Sequence, residues 1–386
     1  MRKITLLFLS LLFIGLGLQK AKAQEEKKAE QFKPTIKING RIQYDFEFIK
    51  ASDDDNEGEW FNGNEFRRAY ISAKGKIGKK LSYKTEFEFA GGEIAYRDVY
   101  IKYDAGKFGS IAFGSMAEAT GLNMATSSKY TTFMERSMLT SFQNFRWQSG
   151  IHYANYKLFD GKMTLQASYT NDADHTEGFK DKTLEESMSF AARVTTSFLN
   201  DKESHRLIHL GVNYDNRPGK NVEFRPENHM GGKYDLGLDD SEGRSDLGLE
   251  LATTFGPLSV QGEYKMHNNQ LPNETYKVNT YYAFVSYFIT GEHRPYKKGT
   301  FGRVKPKNDV DNGGMGALEL AVRYSAVDNS DFITGGSNDQ LNNLTFGLNW
   351  YLNSHTRFMY NTVLTDFNGD NGEKQIAHML RVAVDF

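Results

Sequence analysis

The chain has 386 residues and a formal net charge of −2, with 39% hydrophobic and 13% aromatic residues. It contains no cysteine, which excludes a disulfide scaffold, a cysteine-ligated metal site, a cysteine nucleophile and a lipid anchor on an N-terminal cysteine. The low hydrophobic share argues against a helical membrane protein, because a spanning helix needs about 20 consecutive apolar residues. The acidic balance gives no general attraction for nucleic acid, so we expect no nucleic-acid partner.

Residues 1–23 have the pattern of a secretory signal peptide. Two basic residues precede an apolar run over 4–18, and Ala21-Lys22-Ala23 supplies small residues at the positions that a signal peptidase reads. An uncleaved anchor is the weaker alternative because the run is short. Cleavage would remove four basic residues and no acidic one, which changes the formal net charge from −2 to −6. We expect residues 24–35 to form a polar periplasmic lead-in.

From residue 36 to the last residue, the sequence alternates apolar and polar residues. The stretches RIQYDFEF at 41–48 and LSYKTEFEF at 81–89 show the pattern. Successive side chains of a strand point to opposite faces, so each stretch has one apolar and one charged face. No stretch of similar length has helical periodicity. The predicted strands are 36–48, 65–77, 81–90, 95–104, 108–114, 149–159, 162–170, 186–199, 206–215, 244–256, 258–268, 277–290, 315–327, 341–352, 355–366 and 374–386.

The lengths of the connections alternate as well. They are short after most even-numbered strands, as at 160–161 and 353–354, and long after most odd-numbered ones, as at 49–64 and 216–243. This alternation is typical of a meander in an outer membrane, with short periplasmic turns and long external loops. The sequence therefore predicts an all-β, 16-stranded antiparallel transmembrane β-barrel over residues 36–386.

One connection departs from this alternation. Residues 291–314 should form a short turn, but the segment is long and basic. The strand count can therefore be in error by two at this point. The segment itself is interpreted either as a periplasmic docking patch or as a plain solvated connection.

The connection at 115–148, after the fifth strand, is too long for a hairpin. It contains Ala125-Thr126-Ser127-Ser128-Lys129-Tyr130 and the pair Glu135-Arg136. Loops of this length in a compact domain are usually functional or disordered. We predict that it folds into the lumen as a constriction whose charges set ion selectivity, with an ordinary external loop as the alternative.

The last strand alternates apolar and polar residues and ends on an aromatic residue, Phe386. This ending resembles the assembly signal of outer-membrane barrels, so it predicts the barrel-assembly machinery as a partner and the cell outer membrane as the location. A soluble β-sandwich also alternates, but its inner face must pack against a second sheet. The uniformly charged face favours a water-filled lumen with outer-membrane lipid outside.

Several short motifs, in their order and spacing, resemble the phosphate-selective porin O and P family over nearly the whole mature chain. They are NGRIQ at 39–43, FRRAY at 66–70, ATSSKY at 125–130 with Glu135-Arg136, TGE at 290–292, ELAVRYS at 319–325 and GLNWYL at 347–352. The resemblance implies a sixteen-stranded outer-membrane barrel that assembles as a homotrimer. It also implies a loop folded into the pore and cationic residues that bind oxyanions such as phosphate.

Carried over to this sequence, the resemblance assigns anion binding to Arg41, Arg67, Arg68, Ser127, Ser128 and Lys129. Guanidinium groups bind phosphate through two hydrogen bonds, and lysine adds a point charge. Alternation places Arg41 and Arg68 on the lumen face. Arg67 falls on the other face and reaches the pore only through a β-bulge or at a strand end; a rim or subunit-contact arginine is the alternative.

Acidic residues at lumen positions argue against a strongly cationic pore. They are Asp45, Glu47, Glu86, Glu88, Glu250, Glu263 and Glu319. Together with the resemblance, which implies the oxyanion preference at the constriction, the sequence predicts a porin, a passive diffusion channel for small hydrophilic solutes. The alternatives are a weakly selective general porin and a plugged outer-membrane barrel for binding or adhesion.

No catalytic, metal or cofactor site is expected. Asp53 and Asp55 resemble the start of a calcium loop, but Asn64 stands where a bidentate glutamate is required. His205 and His209 are four residues apart in a strand-rich stretch, where that spacing gives no helical ligand pair. The Gly-x-Ser-x-Gly elbow of serine hydrolases does not occur. The sequence thus predicts that the protein is not an enzyme.

Overall fold

The structure is a computed structural model that describes residues 32–52, 58–142, 147–171, 188–219, 221–238, 240–329, 340–367 and 373–386. The predicted signal peptide and most of the predicted lead-in lie outside the described residues, as do Asp53 and Asp55 of the calcium-like loop. Residues 34–386 form one unit.

Sixteen antiparallel strands form a closed barrel, in which each strand pairs with its sequence neighbours and the last strand pairs with the first. The predicted count of sixteen is confirmed. The strands are β1 (Lys37–Ser52), β2 (Trp60–Lys76), β3 (Leu81–Glu88), β4 (Ala95–Asp104), β5 (Ser110–Ala117), β6 (Trp147–Leu158), β7 (Met163–Asn171), β8 (Met188–Asp201), β9 (Arg206–Pro218), β10 (Gly243–Phe255), β11 (Leu258–Gln270), β12 (Thr275–Phe288), β13 (Ala317–Asp328), β14 (Leu341–Tyr351), β15 (Thr356–Asp366) and β16 (Lys374–Asp385).

The strands turn their polar side chains inward and their apolar side chains outward. On β1, Ile42 and Phe46 are 47% and 39% exposed, whereas Gln43 and Asp45 are 2% and 0% exposed. This arrangement is the reverse of a soluble protein, in which apolar side chains are buried. An apolar outer face around a polar interior fits a barrel with lipid outside.

The two ends of the barrel differ in their connections. Short turns at 77–80, 105–109, 159–162, 202–205, 256–257 and 352–355 join strands at one end, which we call the short-turn end. Most connections at the other end, the long-loop end, are longer, among them 118–146 and 219–242. β1 starts at Lys37 at the short-turn end, and β16, which is antiparallel to β1, ends there. Both ends of the barrel chain therefore lie at the short-turn end.

The connections contain only short elements of their own. The loop between β5 and β6 contains two helices, α1 (Leu122–Ala125) and α2 (Met138–Phe142), and none of the described helices is long and apolar enough to cross a membrane. The loop between β9 and β10 contains a small two-stranded sheet. The remaining elements are the strand pairs Glu223–Phe224 with Tyr234–Asp235 and Tyr296–Lys297 with Thr300–Phe301, and the 3-10 turns Ala90–Gly92, Gly106–Phe108, Phe159–Gly161 and Val310–Asn312.

The long connection at the short-turn end, residues 289–316, adds no strand to the barrel. Its small hairpin stays separate from the barrel sheet, which explains why the count remains sixteen. Arg294 is 5% exposed, donates to Gln261 Oε1 on β11 at 3.1 Å and stacks on the ring of Phe301 at 3.7 Å. Part of the segment is therefore buried against the inner wall, whereas Lys297, Lys298, Lys305 and Lys307 are exposed.

The seam that closes the barrel contains a buried ion pair. Asp45 on β1 and Arg381 on β16 are cross-strand partners, and both side chains are fully buried. Arg381 donates from Nε and NH2 to the two carboxylate oxygens of Asp45 at 2.7 and 2.6 Å. The two hydrogen bonds join the first strand to the last on the lumen side.

Replacing Arg381 by Met should destabilise the barrel by about 3–5 kcal/mol, because it leaves the buried Asp45 carboxylate without its cation. The measurement is urea unfolding in lipid vesicles followed by tryptophan fluorescence. Arg206→Met, at an exposed position at the start of β9, is the control and should stay within about 0.5 kcal/mol of wild type. The double variant with Asp45→Asn should recover part of the loss. Equal midpoints for the two arginine variants would contradict this role of the pair.

Candidate pore and anion-binding site

The β5–β6 loop lies inside the barrel and bonds to its inner wall. At α1, the backbone N–H groups of Leu122 and Asn123 donate to the carboxylate of Glu263 on β11 at 2.8 and 2.6 Å. Further along, the N–H of Met134 donates to Asn361 Oδ1 on β15 at 2.8 Å. The loop therefore reaches strands on a different part of the wall from β5, where it starts.

Glu135 joins this loop to three arginines of the wall. Arg67 donates to both carboxylate oxygens of Glu135 at 2.9 and 2.8 Å, and Arg381 NH2 donates to Oε1 at 2.7 Å. Arg68 NH1 lies 3.8 Å from the same oxygen. Burial alone would raise the pKa of Glu135, but the three guanidinium groups hold that pKa well below its usual value. The carboxylate thus stays ionised and the loop stays attached.

The β9–β10 loop also enters the lumen. Glu227 is 2% exposed and accepts hydrogen bonds from Arg323 at 2.6 Å and from the N–H of Met138 at 3.2 Å. The N–H groups of His229 and Met230 donate to the Glu47 carboxylate at 3.1 and 2.9 Å. The two inserted loops are thus bonded to each other as well as to the wall.

Most of the acidic wall residues bind these inserted segments or neighbouring wall side chains. Glu250 accepts two hydrogen bonds from Arg193 at 2.8 and 2.7 Å. Glu319 accepts from Asn349 and Tyr351 at 3.0 and 2.8 Å. With Asp45, Glu47 and Glu263, they account for five of the seven acidic residues that alternation places in the lumen. These five carboxylates therefore bond to the inserted loops or to neighbouring side chains of the wall.

The open part of the lumen is a cavity of about 720 Å³ beside β1 to β4, which we call the main cavity. Its lining includes Lys74 and Lys84 near the short-turn end and Glu223 and Lys233 in the β9–β10 loop, which belongs to the long-loop end. The inserted loops line its other side. The main cavity therefore extends from one end of the barrel toward the other.

The charge of this lining differs in sign from the charge of the chain. Ten basic and six acidic residues line the main cavity, a surplus of four positive charges among the described residues. The basic ones are Arg41, Arg67, Arg68, Lys74, Lys84, Arg97, Lys129, Arg136, Arg225 and Lys233, and the acidic ones are Glu86, Glu88, Asp98, Glu135, Glu223 and Glu227. Of the seven acidic residues predicted to face the lumen, only Glu86 and Glu88 line the cavity.

All six residues of the predicted anion site line the main cavity. Ser128 connects the loop to the wall, since its hydroxyl accepts from Arg41 and its carbonyl oxygen accepts from Gln43 Nε2 at 3.2 Å. Arg68 NH1 donates to Gln43 Oε1 at 2.9 Å. Ser127 Oγ accepts from the N–H of Lys129 at 3.4 Å. These contacts join Ser128 directly to Arg41 and link Arg68 to the same loop through Gln43, all on the lining of one cavity.

Arg67 reaches the lumen through a β-bulge. The register between β1 and β2 shifts so that Gln43 pairs with Arg68 and Tyr44 with Phe66, which leaves Arg67 as the additional residue. A bulge places two residues opposite one and redirects a side chain. Arg67 and Arg68 therefore both point inward, although they are adjacent in sequence.

Lys129 extends the site toward the short-turn end. Its Nζ lies 3.5 Å from Asp385 Oδ2 on β16. Burial lowers the pKa of Lys129 from its usual value, and Asp385 opposes that effect. The lysine is thus partly buried and faces one carboxylate.

Sequence reasoning missed further cations of the cavity. Arg136 donates to the carbonyl oxygens of Asn123 and Thr126 at 3.1 and 3.0 Å, and Arg225 NH1 donates to the carbonyl oxygen of His229 at 2.6 Å. Neither arginine has a carboxylate within 4.0 Å among the residues that the structure describes. Both belong to inserted loops, so strand alternation carries no signal for them.

Comparison with known proteins agrees with this architecture. The family model of the phosphate-selective porin O and P matches residues 36–383. Porin O of Pseudomonas aeruginosa is 27% identical over 391 residues, covering 87% of this chain and 85% of that protein.

Solved porin structures share the fold at low sequence identity. The anion-selective porin from Comamonas acidovorans superposes with a TM-score of 0.61 at 14% identity, covering 92% of this chain and 100% of that one. OmpT of Vibrio cholerae in its trimer form gives a TM-score of 0.56 at 12% identity, covering 91% and 99%. With the family match over nearly the whole barrel, these findings lead to one conclusion: the chain belongs to the phosphate-selective porin O and P family and is a porin of the outer membrane.

Proposed function

We propose that the protein is a passive channel that prefers small oxyanions such as phosphate at its constriction. The observation that carries this proposal is the surplus of four positive charges around the main cavity of a chain that is acidic overall. A confined, partly dehydrated space strengthens the attraction of such charges for an anion. The names of the family and of the anion-selective porin from Comamonas acidovorans support the same reading.

In this proposal, the β5–β6 loop is the constriction. It brings Ser127, Ser128 and Lys129 opposite the arginines of β1 and β2, and Glu135 fixes its position. An oxyanion would exchange water for guanidinium, hydroxyl and ammonium donors, which are the groups that bind phosphate strongly. The paired charges at the constriction limit how tightly an anion is held, so that it can leave again.

We propose that the protein acts as a channel rather than as an enzyme, as membership of its family suggests. We propose a homotrimer, since one solved structure of OmpT of Vibrio cholerae is a trimer form, and recognition of Phe386 by the barrel-assembly machinery. Phe386 is 60% exposed and its backbone bonds to Gly40, so its ring stands at the seam of the barrel. Residues 1–23 serve as the cleaved signal peptide and 24–35 as the periplasmic lead-in, which makes the short-turn end periplasmic.

Phosphate should reduce the chloride current through the purified protein in a planar bilayer, in a saturable way and at constant ionic strength. Arg68→Gln should raise the half-blocking phosphate concentration about tenfold or more, because a hydrogen bond to a charged group is worth about 1.5–3 kcal/mol. Arg206→Gln, on the exposed start of β9, is the matched control and should behave as wild type. Currents that phosphate does not reduce, or equal effects of the two variants, would contradict an oxyanion site.

Lys129→Glu should lower the ratio of anion to cation permeability, because it changes the charge beside the main cavity by two units. The ratio is obtained from reversal potentials in a potassium chloride gradient. Lys202→Glu makes the same change at an exposed turn between β8 and β9 and should leave the ratio nearly unaltered. If both substitutions shift the ratio equally, the loop does not line the conducting path.

A plugged binding or adhesion barrel is the second candidate, because two loops enter the lumen and bond to its wall and to each other. The main cavity of about 720 Å³ favours the channel over this candidate. Bilayer recordings distinguish them, since a plugged barrel gives no steady conductance in the folded state.

A further inference from the structure

Four neighbouring turns at the short-turn end contain exposed lysines, and we call them the lysine arc. They are the turns that join β2 to β3, β4 to β5, β6 to β7 and β8 to β9, at 77–80, 105–109, 159–162 and 202–205. Their five lysines are Lys79, Lys80, Lys107, Lys162 and Lys202, and their two acidic residues are Asp160 and Glu203. The other two short turns, at 256–257 and 352–355, contain no lysine or arginine. The positive charge of the short turns is therefore confined to one side of the barrel.

The lysine arc also carries the three most exposed large apolar side chains among the described residues. Phe159, Phe198 and Phe108 are 72%, 71% and 69% exposed. Two of them lie in turns of the arc, and Phe198 lies on β8 shortly before the last turn. The ammonium of Lys107 lies 5.1 Å from the centre of the Phe108 ring. Each of these rings is thus within four residues of an exposed lysine of the arc.

The backbone turns these rings away from the lumen. Phe198 is the additional residue of a β-bulge that follows Ser197, and it continues the outward-facing side of β8, on which Phe190 and Val194 are 43% and 40% exposed. Phe159 has a φ of 49°, a left-handed conformation that is uncommon for a bulky residue. Glycine or asparagine would fit this turn more easily. An apolar ring that neither the backbone favours nor the protein covers points to a contact outside the chain.

We propose that the lysine arc is a binding surface for anionic phospholipids of the leaflet around the short-turn end. The three phenylalanines extend the apolar outer face of the barrel, which already faces lipid, so acyl chains cover their rings. The ammonium groups of the same turns pair with the phosphates of the headgroups. An acidic protein would match the lysines alone, whereas an anionic amphiphile matches both the lysines and the rings.

This surface goes beyond the proposed function and does not depend on the anion channel. It lies outside the barrel, and none of its lysines or phenylalanines lines the main cavity. In the proposed orientation, the leaflet that it contacts is the periplasmic one. The lysine variants below should therefore keep the phosphate block of the chloride current as in wild type.

The test is a titration of the purified, folded protein in neutral detergent with phosphatidylglycerol, in which native mass spectrometry counts the bound lipids. Lys162→Gln with Lys202→Gln should raise the half-saturating lipid concentration about fivefold for each lysine removed, since a lysine near an anionic surface contributes about 1 kcal/mol. Lys297→Gln with Lys305→Gln, at exposed positions of the 289–316 connection, is the matched control and should behave as wild type. Zwitterionic phosphatidylcholine should bind wild type more weakly and respond to neither double variant.

A second measurement asks what covers the rings in vesicles. Phe159→Trp and Phe198→Trp each add a fluorophore at one of these positions. The added fluorescence, relative to wild type, should be quenched by brominated phosphatidylglycerol and little by iodide in the water.

The remaining outcomes overturn the lipid surface. Equal effects of the two lysine variants, or equal binding of the two lipids, remove the role of the arc. Quenching by iodide alone shows rings in water, and protection from both quenchers shows rings covered by a second copy of the chain. Binding of a polyglutamate peptide that depends on Lys162 and Lys202, without binding of phosphatidylglycerol, assigns the arc to an acidic protein instead.

Discussion

A carboxylate enclosed in a barrel lumen must be paired, and this requirement organises the whole interior. Glu263 accepts the amides of α1, Glu47 accepts those of His229 and Met230, and Glu135 is held by Arg67 and Arg381. Each pairing attaches an inserted loop to the wall. Removing one partner of such a pair leaves a buried charge without compensation, so detaching a loop from the wall costs free energy. The positions of the two inserted loops in the lumen follow from these attachments.

The same pairing explains how an acidic chain can enclose a cationic path. Acidic wall residues away from the main cavity accept hydrogen bonds from arginines, amides and hydroxyls, as Glu250 and Glu319 do. The basic side chains that line the main cavity lie on β1 to β4 and on the inserted loops, which face the wall there without filling the space. Net charge describes solubility and long-range attraction, whereas selectivity depends on the few charges that an ion passes.

The barrel could be predicted from the sequence because alternation is a local property of each strand. Sixteen strands and the inward direction of Arg41 and Arg68 follow from it. For Arg67, alternation does not distinguish a β-bulge from a strand end or a rim position, because a register shift depends on the partner strand. The acidic residues at lumen positions argue against a cationic pore when only the sequence is considered, because the sequence does not show which carboxylates are paired. Arg136 and Arg225 lie on inserted loops, whose paths depend on contacts with strands far away in the chain.

The central claim is that the charges along the path, and not the charge of the chain, set the selectivity of the pore. The most direct measurement is the reversal potential of the wild-type protein in a planar bilayer with a tenfold potassium chloride gradient. The account predicts the sign that corresponds to chloride passing more readily than potassium. A reversal potential of the opposite sign, showing preference for potassium, would contradict it.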